Sequence, residues 1–155
     1  AQTAFRLIYD EVYLGLEPTL ITKLYYEAFN IASREEFVGS VAKLESEEAP
    51  LYIKTLIGAF FKAAAMGDAP ALAKTDEMAK RGAQFIAALA NQMEFDGDEI
   101  EVVLSGSMHT KLPNDIYIAK LHDYAQQMSG RKLRFIKLDK EPVIGCINWI
   151  FRQYK

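Results

Sequence analysis

Ser105, Gly106 and Ser107 follow directly on the apolar run Val102-Val103-Leu104, and Met108, His109, Thr110 and Lys111 come straight after them. A tripeptide with so little side-chain bulk lets a flat ligand lie against the backbone. Val102-Val103-Leu104 has no polar alternation, which suits a strand buried on both faces in a parallel sheet flanked by helices. Loops at the carboxyl ends of such strands are favoured ligand positions. Small-molecule binding is therefore expected at Ser105-Gly106-Ser107.

Other chemistry fits these residues less well. Ser105 or Ser107 with His109 or His122 would suit a serine hydrolase, but the nucleophile elbow needs Gly-x-Ser-x-Gly and position 103 is Val. His109 and His122 lack partners at metal-ligand spacing. Asp96-Gly97-Asp98-Glu99 superficially resembles a calcium loop, lacks the later ligands and reads as a turn. Asp10-Glu11, Glu35-Glu36 and Glu45 to Glu48 read as solvated faces, and the Tyr25-Tyr26 and Phe60-Phe61 pairs as core.

The elements that must position the loop can be read in chain order. Amphipathic helices are expected over about Thr3 to Tyr13 and Thr19 to Phe29, broken by Gly15 and Pro18. Ser33-Arg34-Glu35-Glu36 is a capping box opening a helix to about Leu44. An acidic connector, Glu45 to Pro50, precedes an apolar and buried helix from Leu51 to Met66. Gly67 fits the helix end, Asp68 the next N-cap, and Pro70 the first turn of a helix running to about Met93. Leu72, Thr75, Ala79, Gly82, Ile86, Leu89 and Met93 are expected to form its inner stripe.

Beyond the turn at Phe95 to Glu99 the pattern becomes β-α-β-α. It comprises a strand from Ile100 to Ser105, a helix from Asn114 to Met128, a strand from Leu133 to Leu138 and a last helix ending near Tyr154. Tyr117, Leu121, Tyr124 and Met128 share one face of the first of these helices. Such a tail implies parallel strands joined by a right-handed crossover. Two strands do not cover their own edges, so self-association or a homodimer through the exposed sheet edge is expected.

Composition bounds the partners. Of 155 residues, 50% are hydrophobic and 25% charged, which argues for one compact folded domain. The net charge of −3 supplies no basic surplus for nucleic acid. No apolar run approaches a membrane span. The single cysteine, Cys146, excludes an internal disulfide and favours a reducing, cytoplasmic setting. The start Ala1-Gln2, without an initiator Met, fits a matured or excised piece.

Three ordered motifs resemble one family. Ala63 to Ala71, AAAMGDAPA, is similar to the "AxxGDpxA" segment of the BadF/BadG/BcrA/BcrD ATPases, which include N-acetylglucosamine kinase. Val103 to Lys111 resembles that kinase's adenosine motif, and Glu141 to Cys146 resembles the family's closing "PPvxGA" turn. The likeness covers about residue 50 to the end; residues 1–49 resemble the family's helical insert only weakly.

The resemblance implies an α/β fold: the C-terminal portion of an actin-like, ribonuclease-H-like ATPase lobe, helix-rich with a short parallel sheet. It further implies that ATP and Mg²⁺ bind in a cleft between two lobes, with a sugar as phosphoryl acceptor. Ser105, Gly106, Ser107 and Met108 would line adenine and ribose, Lys111 would approach ribose or phosphate, and Gly145 would let the last helix close on the cleft. No "DGGxTxT" hairpin and no initial three-stranded meander match this sequence, so the likeness implies a fragment with no catalytic residue of its own. Ser107 stands where a second glycine is common and favours the sugar-kinase branch. Cys146 alone could not hold the shared iron–sulfur cluster of the dehydratase activators. The rival expectation is a non-catalytic nucleotide-sensing or interaction domain.

Overall fold

The computed structural model describes residues 1–138 and 142–153, so Glu141 of the third motif and the expected helix end at Tyr154 lie outside the described residues. The described residues form a helix-rich α/β chain with one two-stranded parallel sheet. They fall into two compact units, and the division lies within one long helix. Residues 1–49 and 50–79 belong to the same unit.

Unit 1 (1–79 and 113–117) contains α1 (Gln2–Leu14), α2 (Leu20–Phe29), α3 (Arg34–Lys43), α4 (Ala49–Ala65) and the start of α5 (Ala69–Gln92). Local signals explain the boundaries. Gly15 ends α1 at φ 63°, and Thr19 caps α2 by accepting the Ile21 N–H at 3.2 Å. Ser33 Oγ accepts the Glu36 N–H at 3.1 Å, while the Glu36 carboxylate accepts the Ala32 N–H at 2.8 Å. The capping box thus forms, with its return bond one residue upstream of the usual place. The core is aromatic and aliphatic: Ile8, Ile21, Tyr25, Phe37 and Leu56 have no exposed surface. Phe37 stacks on Phe5 at 4.9 Å and meets the edge of Tyr25 at 6.2 Å. Asn114 Nδ2 donates to the Phe61 carbonyl at 2.9 Å and ties 113–117 into this unit.

Unit 2 (80–112 and 118–155) contains the rest of α5, β1 (Glu99–Leu104), the one-turn α6 (Ser107–Thr110), most of α7 (Ile116–Ser129), β2 (Lys132–Lys137) and α8 (Pro142–Gln153). The strands pair parallel, Glu99 against Lys132 through Leu104 against Lys137. Lys80 lies 5.2 Å above the Tyr124 ring and joins α5 to α7. No single helix among the described residues is long and apolar enough to cross a membrane.

Four expectations need correction. First, β1 is not buried on both faces. Ile100 and Leu104 are inside, whereas Val103 is 55% exposed. The alternation begins at Glu99 and Glu101, whose carboxylates pair with Lys132 and Arg134 across the outer face. Second, the inner stripe of α5 is Ala71, Thr75, Ala79, Ala83, Ala87 and Ala90, while Leu89 and Met93 are exposed. The buried stripe falls one residue away from the larger side chains in helical phase, so packing against neighbours, not side-chain size, set which face turned inward. Third, α4 is buried only from Leu56 onward; Leu51 is exposed. Fourth, α7 buries Ala125 behind Tyr117 and Leu121, and Met128 is exposed.

Candidate functional site

The carboxyl ends of β1 and β2 lie side by side because the strands are parallel, and the Leu138 N–H donates to the Leu104 carbonyl at 3.0 Å. Two segments leave this end of the sheet. One is Ser105-Gly106-Ser107 leading into α6. The other is the start of α8, four residues beyond Leu138 and hence within about 14 Å of it along the chain. Parallel pairing therefore makes the chain leave β1 and β2 at the same end of the sheet. Gly145 is exposed, and a β-carbon there meets nothing within 4 Å.

Gly106 has φ 83° and ψ 160°, a conformation that costs an L-residue dearly. Its carbonyl accepts the backbone N–H groups of His109 and Thr110, each at 3.0 Å, and the Thr110 hydroxyl at 3.0 Å. His109 Nδ1 lies 2.8 Å from the Ser105 carbonyl, so the ring folds back on its own loop. These bonds hold Ser105 to Thr110 as one short turn. A β-carbon on Gly106 would meet nothing within 4 Å, so bare backbone borders open space. Ser105, Ser107 and Lys111 are exposed, and Met108 is half-buried. The arrangement is an exposed turn of small, lightly polar residues with Lys111 just beyond it. No three His, Cys, Asp or Glu side chains converge among the described residues.

A polar cluster in unit 1 goes beyond the N-cap role expected of Asp68. Asp68 is 8% exposed and accepts from Thr19 Oγ1 at 2.8 Å, from the Leu20 N–H at 2.7 Å and from the Ala71 N–H at 2.9 Å. One carboxylate thereby caps the starts of both α2 and α5. Glu11, expected on a solvated face, accepts the Thr19 N–H at 3.0 Å and the Thr22 hydroxyl. The sequence carried one signal of this: Thr19 and Asp68 each sit one residue before a helix. Nothing local indicated that they would meet. With their oxygens engaged by helix starts, these carboxylates hold structure and are not free for acid–base work.

No family model matches this chain, no curated protein is similar to it, and no solved structure resembles it at a significant level.

Proposed function

We propose that this chain is the nucleotide-binding C-terminal part of an ATP-dependent sugar kinase of the BadF/BadG/BcrA/BcrD type, with an amino sugar as acceptor. One observation carries the reading: a glycine at φ 83°, bordering open space, sits at the carboxyl end of a parallel strand within the motif that resembles the adenosine motif. In this reading the lobe has an actin-like fold, and Ser105 to Met108 line adenine and ribose. Lys111 approaches the ribose or phosphates, and Gly145 faces the same cleft. The phosphate hairpin, the base that deprotonates the sugar hydroxyl and most contacts to Mg²⁺ belong to a second lobe outside these residues. Closure of the two lobes would exclude water from the transferring phosphoryl group. The setting is cytoplasmic.

Residues 1–155 alone should show no sugar-dependent ATP turnover. Photolabelling with 8-azido-ATP should mark the peptide from Ser105 to Lys111, and excess ATP should remove the label. Labelling elsewhere, or none at millimolar nucleotide, overturns the site. A bulky residue at position 106 confounds occupancy with strain, because φ there is positive. Ser107→Phe adds bulk without that strain and should weaken ATP binding by the full-length protein at least tenfold, or about 1.4 kcal/mol. A change within twofold places the adenine elsewhere. Sequence upstream of Ala1 should encode a "DGGxTxT" hairpin; nucleotide binding without one would instead identify a non-catalytic sensing domain.

A further inference from the structure

Only at Asp96 is an aspartate or asparagine followed by glycine; each of the others precedes a residue that carries a side chain. Asp96 and Gly97 are exposed in the bend between α5 and β1 and belong to neither element. Gly97 has φ 88°, and a β-carbon there would meet nothing within 4 Å. Among the described residues, the Gly97 N–H donates to no acceptor, and the Asp96 carboxylate holds no hydrogen bond or ion pair. Other aspartates are restrained. Asp10 and Asp123 lie inside helices, where the next N–H is bound to a carbonyl four residues back. The Asp68 carboxylate is engaged by Thr19, Leu20 and Ala71.

We propose that Asp96-Gly97 is a site of covalent self-modification, where Asp96 isomerises to an isoaspartyl residue that an isoaspartyl carboxyl methyltransferase recognises. The Gly97 nitrogen attacks Cγ of Asp96, which reacts as the carboxylic acid. An N–Cγ bond forms, the Cγ–O bond breaks, and the hydroxyl leaves as water with the amide proton. Water then reopens the five-membered succinimide. Cleavage of its N–Cγ bond restores aspartate, whereas cleavage between the nitrogen and the α-carbonyl leaves the main chain running through Cγ. One water leaves and one returns, so no other reactant is needed. The structure removes the usual obstacles. Glycine leaves the attacking nitrogen unhindered, and no hydrogen bond has to break before that nitrogen turns. The product adds one methylene to the main chain two residues before Glu99, which opens β1 opposite Lys132. Its cost therefore falls on the first rung of the sheet. The proposal stands apart from the nucleotide reading.

The folded full-length protein is held in neutral buffer at physiological temperature for several weeks. It is then labelled with isoaspartyl methyltransferase and tritiated S-adenosylmethionine and digested with trypsin. Label should appear in the peptide from Gly82 to Lys111 at unchanged mass. A protease that cuts before aspartate should fail at position 96 in that peptide and still cut at Asp98. Asp96→Glu should abolish the label, because glutamate would have to close a larger ring. Asp96→Asn should raise the rate about tenfold, with ammonia leaving in place of water. Both changes are at an exposed position and leave the core untouched. The folded protein and a synthetic peptide of residues 82–111 should label at rates within about threefold of each other, since the fold restrains neither reacting group. The proposal is overturned by slower labelling of the folded protein than that, by label in other peptides alone, or by label that persists in Asp96→Glu. None of these outcomes bears on 8-azido-ATP labelling at Ser105 to Lys111.

Discussion

At the scale of single residues, the Gly-Asp pair of the first motif has a structural explanation. Gly67 reverses the chain at φ 85°, and Asp68 then holds the first turns of α2 and α5 with one buried carboxylate. Asp68→Ala leaves two backbone donors and the Thr19 hydroxyl without their acceptor. Helix caps contribute about 1 kcal/mol each and hydrogen bonds to charged groups about 1.5–3 kcal/mol. The variant should lose about 3 kcal/mol in urea denaturation, and Asp68→Asn should recover part of it. Tyr26 behaves oppositely. Its hydroxyl is buried and finds no hydrogen-bond partner, so it carries a desolvation cost without a compensating bond. Tyr26→Phe should raise stability by about 1 kcal/mol, and a loss of that size would show that the hydroxyl has a partner after all.

At the scale of elements, the buried face of α5 carries small side chains. Ala71, Ala79 and Ala83 have no exposed surface, whereas Phe85 is 62% exposed. Small residues on the buried face leave no room for a branch, so Ala83→Leu should cost at least 2 kcal/mol through overpacking. Phe85→Ser should change monomer stability by less than about 0.5 kcal/mol, because nothing in the core depends on it. Equal effects of the two substitutions in thermal denaturation would reverse the assignment of faces. β1 follows a related logic. Its outer face joins Glu99 and Glu101 to Lys132 and Arg134, exposed pairs worth no more than about 1 kcal/mol each. They fix register more than they add stability, and they leave Val103 open.

At the scale of the whole molecule, tyrosine burial sets a limit at high pH. Burial pushes the hydroxyls of Tyr25, Tyr26 and Tyr117 above their ordinary value of 10.0; the Ser40 hydroxyl partly offsets this at Tyr25, and Tyr13, Glu11 and Glu35 add to it at Tyr26. A raised folded-state value means that the unfolded chain loses its tyrosine protons first as pH rises. The stabilising contribution is therefore complete below pH 10.0 and is lost above it, as pH climbs through the folded-state values. Urea midpoints should fall progressively above about pH 10, and Tyr25→Phe should flatten that fall. A midpoint unchanged through about pH 11 would contradict the burial of these hydroxyls. Tyr25 and Tyr26 lie in unit 1 and Tyr117 in its 113–117 segment, so the loss should register on the helical unit.

What the sequence determined by itself is local. Glycines at Gly15, Gly67 and Gly130 end helices because the required positive φ needs no partner from elsewhere. Thr19 and Ser33 cap because the bonds they make reach only two or three residues. The parallel pairing followed from a β-α-β order, because a long helical crossover returns the chain to the end of the sheet where the first strand began. The Ser105-Gly106-Ser107 turn was legible for the same reason, as a stretch of small residues closing an apolar run. Tertiary structure decided the rest. It buried the alanine face of α5 rather than the one with larger residues, since which face is covered depends on the neighbours and not on helical period alone. It brought Glu11 and Asp68 to the start of one helix, across a separation that no local pattern spans. It also left the second face of β1 uncovered, because burial on that face depends on a layer that the chain must bring from elsewhere.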